Sequence, residues 1–217
     1  MLREFKAKLK WPSAVVAGLA KNFFGADVWL KLGRNVEKVP TLPKELTVEF
    51  LNEKCDLYPK QTRKEPHLLL LLPEGVSLKD LDEMCGKKSI NGFSTQDWAK
   101  EEEFWTTKSR ESRRVFIPKE GIPGTLSKTF EQQSIILKQY PNYGTSTALE
   151  LFSGAVLNFV KNEERILGNN LLWCSDETGD GVRAAGGYFD VSGFRVFGDL
   201  IGLSFLSLAR SGFRKFK

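Results

Sequence analysis

Few residues of this 217-residue chain are of the types and spacing that chemistry needs. There is one histidine, His67, and there are three cysteines, Cys55, Cys85 and Cys174. A histidine-built metal site or a serine–histidine relay has only His67 to draw on. That residue opens the apolar run 68–72, the place of a strand-end side chain. Three scattered cysteines are too few for a disulfide framework and leave one unpaired, which fits a reducing, cytoplasmic setting. Cys174 has no second thiol near it in sequence, and a thiol nucleophile needs an activating neighbour that the sequence does not offer.

The carboxylates are no more specific. Glu101, Glu102 and Glu103 form an acidic run that can be read as an acid/base or metal cluster, but a solvated helix face is the plainer reading. Asp176, Thr178, Asp180 and Gly181 imitate the start of a calcium loop. Its twelfth position should hold a bidentate Glu and is Gly187, so the stretch reads as a turn. Neither metal nor cofactor is expected.

The basic residues are uneven within a net charge of +5. Arg3, Lys6, Lys8 and Lys10 open the chain, and Arg210, Arg214, Lys215 and Lys217 close it. Such ends can steer a protein to nucleic acid, and more commonly they aid solubility. The loop 109–114, SRESRR, adds basic charge near Phe104, Trp105 and Phe116, although Glu111 and the acidic run would repel the same phosphates.

The elements that must position these groups follow from the apolar pattern. With 41% hydrophobic residues, 16 Phe and 5 Trp, the chain can bury a core. No stretch reaches the roughly 18 apolar residues of a membrane span. A charged start before residues 11–20 invites a signal-peptide reading, but Pro12, Ser13 and Gly18 interrupt the patch and no cleavage site follows. Residues 1–60 read as a basic N-terminal extension or small subdomain, with a helix over 13–24 stopped by Gly25, a strand over 27–32 carrying Trp29 and a strand over 46–51. The charged, proline-bounded stretch 59–66 reads as a linker.

Beyond it, residues 67–72 suit a central strand. Ser77 with Asp80 forms a capping box opening a helix to about residue 84. Ser94 and Asp97 repeat the signal for a helix carrying Trp98 and Trp105. A strand over 113–118 follows, then a helix over 124–139 ended by Pro141. Thr147 with Glu150 caps a strongly apolar helix. A strand over 171–175, a hairpin turning at 190–193 with Gly supplying positive φ, and a last strand over 203–210 complete the order.

Residues 178–211 contain no Lys, Glu, Gln, Met or Trp. Buried strands and tight turns exclude charge in any protein, which accounts for part of this. Short motifs point further: W-C-S at 173–175, G-x-F at 187–189, G-F-x-V at 193–196 and A-R at 209–210. Upstream stand L-L-L-L-L-P-E-G at 68–75, D-W at 97–98, I-P at 122–123, K-T-F-E-Q-Q at 128–133 and N-E-E-R-I-L at 162–167. Together, over about residues 60–211, they resemble the C-type-lectin-like variable proteins of bacterial diversity-generating retroelements, related to the formylglycine-generating-enzyme scaffold. Two departures stand out: residues 197–205 lack the Trp and Arg that the family often holds there, and the calcium-ligand motifs of sugar-binding lectins are absent.

The resemblance implies an α+β, C-type-lectin-like fold with two main helices, short antiparallel sheets and a closing strand at the C-terminus. The lectin-like domain would span 61–217, with a variable segment at about 178–211. In such elements adenines are miscopied, chiefly in asparagine codons. Changes at the two adenines of such a codon never reach Lys, Glu, Gln, Met or Trp, the five types missing here. The implied role is a non-enzymatic ligand-binding protein whose partner is a protein or other macromolecule. Strand alternation points Val182, Phe189, Phe194 and Val196 inward and makes Arg183, Ala185, Tyr188, Val191, Arg195, Phe197, Asp199 and Ile201 the candidate binding residues. The competing readings are a nucleic-acid-associated protein using the basic termini, and an enzyme on the related scaffold that would need reactive cysteines.

Overall fold

The computed structural model describes residues 13–88, 90, 93, 97–167, 170–178, 183–199 and 208–216. The chain is α+β, with two mixed sheets packed about one long helix. The first sheet holds five strands in the order β1 (Phe23–Phe24), β2 (His67–Leu72), β3 (Arg113–Pro118), β9 (Phe213–Arg214) and β4 (Tyr143–Gly144). The second holds β7 (Gly193–Asp199), β6 (Arg183–Asp190), β5 (Leu171–Glu177) and β8 (Leu208–Arg210). Neither sheet is purely antiparallel as expected: β1 runs parallel to β2, and β8 runs parallel to β5.

Between the sheets lies α8 (Ala148–Asn162), opened by the expected capping box of Thr147 and Glu150. Residues 148–158 are all buried, more than one amphipathic stripe requires, because the helix is covered from two sides. On one side Phe152 meets Phe194 of β7 with ring centroids 4.9 Å apart. On the other, Gly154 lets Ile117 of β3 and Leu68 of β2 approach the helix closely.

The six residues of β2 are all buried, as the apolar run predicted. The core also crosses position 60. Here α1 (Ser13–Leu19) and a short 3-10 turn lead into β1, and β1 pairs with β2 at Phe23–Leu69 and Phe24–Leu70. Residues 27–32, expected as a strand, form the helix α2 (Ala26–Lys31). Val28, Trp29 and Leu32 then lie on one face and enter the main core, and the Trp29 indole N–H donates to the Leu71 carbonyl at 2.6 Å. The expected strand at 46–51 is instead α3 (Val48–Asn52), capped by Thr47, whose hydroxyl accepts from the Phe50 N–H at 3.1 Å. The stretch 59–66 is a series of turns held against α3, with the Lys64 N–H bonded to the Leu51 carbonyl at 3.1 Å.

The capping box of Ser77 and Asp80 opens α4 (Leu78–Lys87) as read from the sequence. The expected helix bearing two tryptophans is split at Glu102 into α5 (Asp97–Glu101) and α6 (Glu103–Thr106). The expected helix at 124–139 shortens to α7 (Phe130–Leu137), because Gly124 and Ser127 take left-handed backbone and the capping box is formed by Thr129 and Gln132. The hairpin β6–β7 turns as expected, with Gly193 at φ 107°. The chain closes twice, once through β8 beside β5 and again through β9, which inserts between β3 and β4. Among the described residues no helix is long and apolar enough to cross a membrane.

Candidate ligand-binding face

The face of the second sheet turned toward α8 is filled. Ala184, Phe189, Phe194 and Val196 are buried in the main core, and Phe189 stacks on Phe194 with centroids 4.4 Å apart. Three of the four positions read as inward are therefore inward, and Val182 lies outside the described residues. Gly186 completes this face by having no side chain: a methyl group there would fall 2.0 Å from Cζ of Phe152.

The opposite face is divided. Over its β5–β8 side lies the start of α7, whose Phe130 meets Trp173 edge to face at 6.0 Å. Ala185, read from alternation as an exposed binding residue, is buried at 1% exposure beside Trp173. The alternation is sound, since Ala185 points away from the α8 face, but α7 and Phe130 cover that position. Arg183 is also partly covered. Its guanidinium carbon lies 4.2 Å from the Phe130 ring centroid, it forms an ion pair with Glu177, and Nη1 donates to the Ser175 carbonyl at 2.9 Å. Arg210 approaches the same ring at 4.0 Å. It donates from Nε to Thr145 Oγ1 at 2.7 Å, and from Nη1 to Ser134 Oγ at 2.7 Å and the Phe130 carbonyl at 3.2 Å.

The hairpin half of this face is open. A register shift between Gly187 and Asp190 places Tyr188 at a bulge with φ 48°, the left-handed region that only a few non-glycine residues adopt. The Arg195 guanidinium carbon lies 5.9 Å from the Tyr188 ring centroid, and Nη2 of Arg195 is 3.4 Å from Asp190 Oδ2. Asp190 also accepts from the Ser192 N–H at 2.7 Å and from its hydroxyl, and these bonds hold its carboxyl below the usual range. Val191 at the tip is 74% exposed. Phe197 and Asp199 pair through the backbone with Ala185 and Arg183, and Ile201 lies outside the described residues.

Groups with intrinsic reactivity are held away from solvent. Burial raises all three thiols, Cys85 to about 12 and Cys174 well above its ordinary value. His67 is fully buried between the Arg63 carbonyl and the Tyr143 hydroxyl and stacks on Phe116 at 4.4 Å. Asp176 serves the fold by accepting from the Ala148 N–H at 2.6 Å, and burial raises its carboxyl. Among the described residues, no group of three or more His, Cys, Asp or Glu side chains is placed to hold a metal ion.

The basic stretches are divided where they are described, with Arg110 and Lys215 exposed and the remaining arginines partly or wholly covered. Arg210 is buried, and Arg214 pairs with Asp56 at 2.5 Å. In the loop read as a basic surface, Ser109 is buried, Arg113 pairs with Glu150 at 3.2 Å and Arg114 lies 5.5 Å from the Phe23 ring. Arg3, Lys6, Lys8, Lys10 and Lys217 fall outside the described residues.

Sequence reasoning missed the cluster around Phe130. Its members come from α7, β5, β6 and β8, which no local spacing connects. A signal was nonetheless present, because Phe130, Trp173 and Arg210 each belong to a different motif of the set quoted above. Comparison of the chain with protein-family models, curated proteins and solved structures finds no match.

Proposed function

We propose that this chain is a non-enzymatic ligand-binding protein that presents the outer face of its second sheet on a C-type-lectin-like scaffold, with residues 178–211 as a diversified segment. The observation that carries this reading is the division of labour within the β6–β7 hairpin. Phe189, Phe194 and Val196 are buried against α8, while Tyr188, Val191 and Arg195 reach solvent. Side chains of the second group can change with little effect on the core, since surface substitutions usually alter stability by no more than about 0.5 kcal/mol. Tyr and Arg are also residue types that dominate recognition energetics. All six come from the stretch lacking Lys, Glu, Gln, Met and Trp.

The raised thiols favour a binding role over the enzyme reading, since thiolate chemistry needs a lowered pKa. A nucleic-acid role draws less support, because Arg113, Arg210 and Arg214 are committed to internal partners. The test lies in the DNA flanking the coding sequence. A near-copy of the segment encoding residues 178–211, differing mainly at adenines and lying beside a reverse transcriptase, is the expected result. A flanking region without such a copy overturns the diversification reading.

A further inference from the structure

The cluster around Phe130 holds two guanidiniums within contact of one ring and places only one of them beside a carboxylate. Arg183 has Glu177. Arg210 is 7% exposed, and among the described residues its guanidinium donates to neutral oxygens, those of Thr145, Ser134 and Phe130. Among the described residues it forms no ion pair, and the charge that acts on it is a second cation, Arg183. A buried cation without a counter-charge is costly, and Arg210 is correspondingly lowered to about 10. Its Nη2 makes no hydrogen bond among the described residues.

The surroundings suit an anion. The indole Nε1 of Trp173 is buried beside the same ring and has no hydrogen-bond partner among the described residues. An aromatic ring carries its partial positive charge at the edge, so guanidiniums over the ring and an anion near its edge are compatible. Guanidinium forks match carboxylate and phosphate oxygens geometrically. The acidic groups nearby are accounted for: Glu177 is bound to Arg183, and Asp176 accepts from Ala148 and is raised by burial.

We propose that Arg183 and Arg210, set around Phe130, form an anion site that receives a carboxylate or phosphate group. This rests on the reading of the outer sheet face as a ligand-binding surface and names the chemistry of its ligand. Arg183 and Arg210 bind the charge, and Tyr188 and Arg195 lie on the adjoining open half of the same face.

The test uses the full chain with inorganic phosphate and, separately, acetate, each against chloride at equal ionic strength. A tenfold excess of a bound anion over its Kd raises Tm by roughly 3 to 5 °C for a chain of this size. The expected result is such a rise with at least one of the two anions, absent in the Arg183→Gln variant. The anion that acts identifies phosphate or carboxylate as the recognised group. In the wild-type protein the arginine Nε–H and Trp173 indole N–H resonances should shift on titration, a readout that does not depend on a variant folding. No rise and no shift with either anion, or the same rise in Arg183→Gln, overturns the proposal. Anion binding without a template copy in the flanking DNA would leave this site standing and remove diversification, and the reverse pair of results would do the opposite.

Discussion

Tyr143 donates its phenolic O–H to Nε2 of His67 across 3.0 Å. The direction is set by the other ring nitrogen. Nδ1 lies 2.9 Å from the Arg63 carbonyl oxygen, which can only accept, so Nδ1 carries the proton and Nε2 is bare. The bond joins β2 to β4 across a sheet in which β3 and β9 stand between them. It lies beside Asp56, which binds both Arg63 of the turns and Arg214 of β9. The one histidine of the chain is thus a structural member of the first sheet.

His67 should make the protein acid-sensitive. Burial holds it at about 3, against 6.5 in the unfolded chain, so between these values the unfolded state binds the extra proton. Stability is then complete above pH 6.5 and falls with decreasing pH, by up to about 1.4 kcal/mol per pH unit. Asp176 and Asp82, both raised by burial, act in the opposite sense but equally in wild type and variant. Urea midpoints from pH 7 to 4.5 should fall more steeply in wild type than in His67→Gln. Parallel lines would mean that His67 is not held neutral.

Tyr143→Phe removes the donor and leaves His67 Nε2 buried and unsatisfied. The expected loss is about 1 to 3 kcal/mol. Combining it with His67→Gln should cost less than the two single losses added together, because the pair is in direct contact. Additive losses in equilibrium unfolding would show that the two side chains are not coupled.

Two glycine substitutions should separate sharply. Gly186→Ala drives a methyl group into the fully buried Phe152 ring, and overpacking of this kind costs about 1 to 3 kcal/mol. Gly154→Ala places a methyl group 2.4 Å from Cδ1 of Ile117 and 3.6 Å from Cδ1 of Leu68, so the far end of the Ile117 side chain must shift, against a gain of up to about 1 kcal/mol of helix propensity. Its net change should stay within about 1 kcal/mol. Equal effects on Tm would argue against the close packing of β6 on α8.

On the outer face, the open and covered halves should respond differently. Tyr188→Gly with Arg195→Ala should change stability by no more than about 0.5 kcal/mol, since glycine suits the left-handed backbone at 188. The same double variant should lose ligand binding. Ala185→Leu should instead cost about 1 to 3 kcal/mol by crowding Trp173. A large loss of Tm in the double variant would place Tyr188 and Arg195 in the core.

Several local decisions were legible in the sequence. The capping pairs Ser77–Asp80 and Thr147–Glu150, the buried strand 67–72 and the hairpin turning on Gly193 all rest on contacts within a few residues, and each formed where its residues predicted. Alternation along β7 likewise assigned Phe194 and Val196 to the core, whereas Phe189 turns inward through the bulge between Gly187 and Asp190, out of step with Arg183 and Ala185.

Tertiary structure decided what those contacts do not reach. Residues 27–32 carry strand-forming types, yet they coil because a helix lets Trp29 enter the core and bond to Leu71 forty-two positions away. Ala185 sits on the face that alternation assigns but is buried, because α7 is laid over it from a distant part of the chain. Arg210 and Arg214 read as a solvated basic tail and became internal partners of Phe130 and Asp56 for the same reason. Composition and local spacing determine where capping boxes, buried strands and tight turns form, but not the element type at 27–32 and 46–51. What covers each face depends on long-range packing, which a local pattern does not encode.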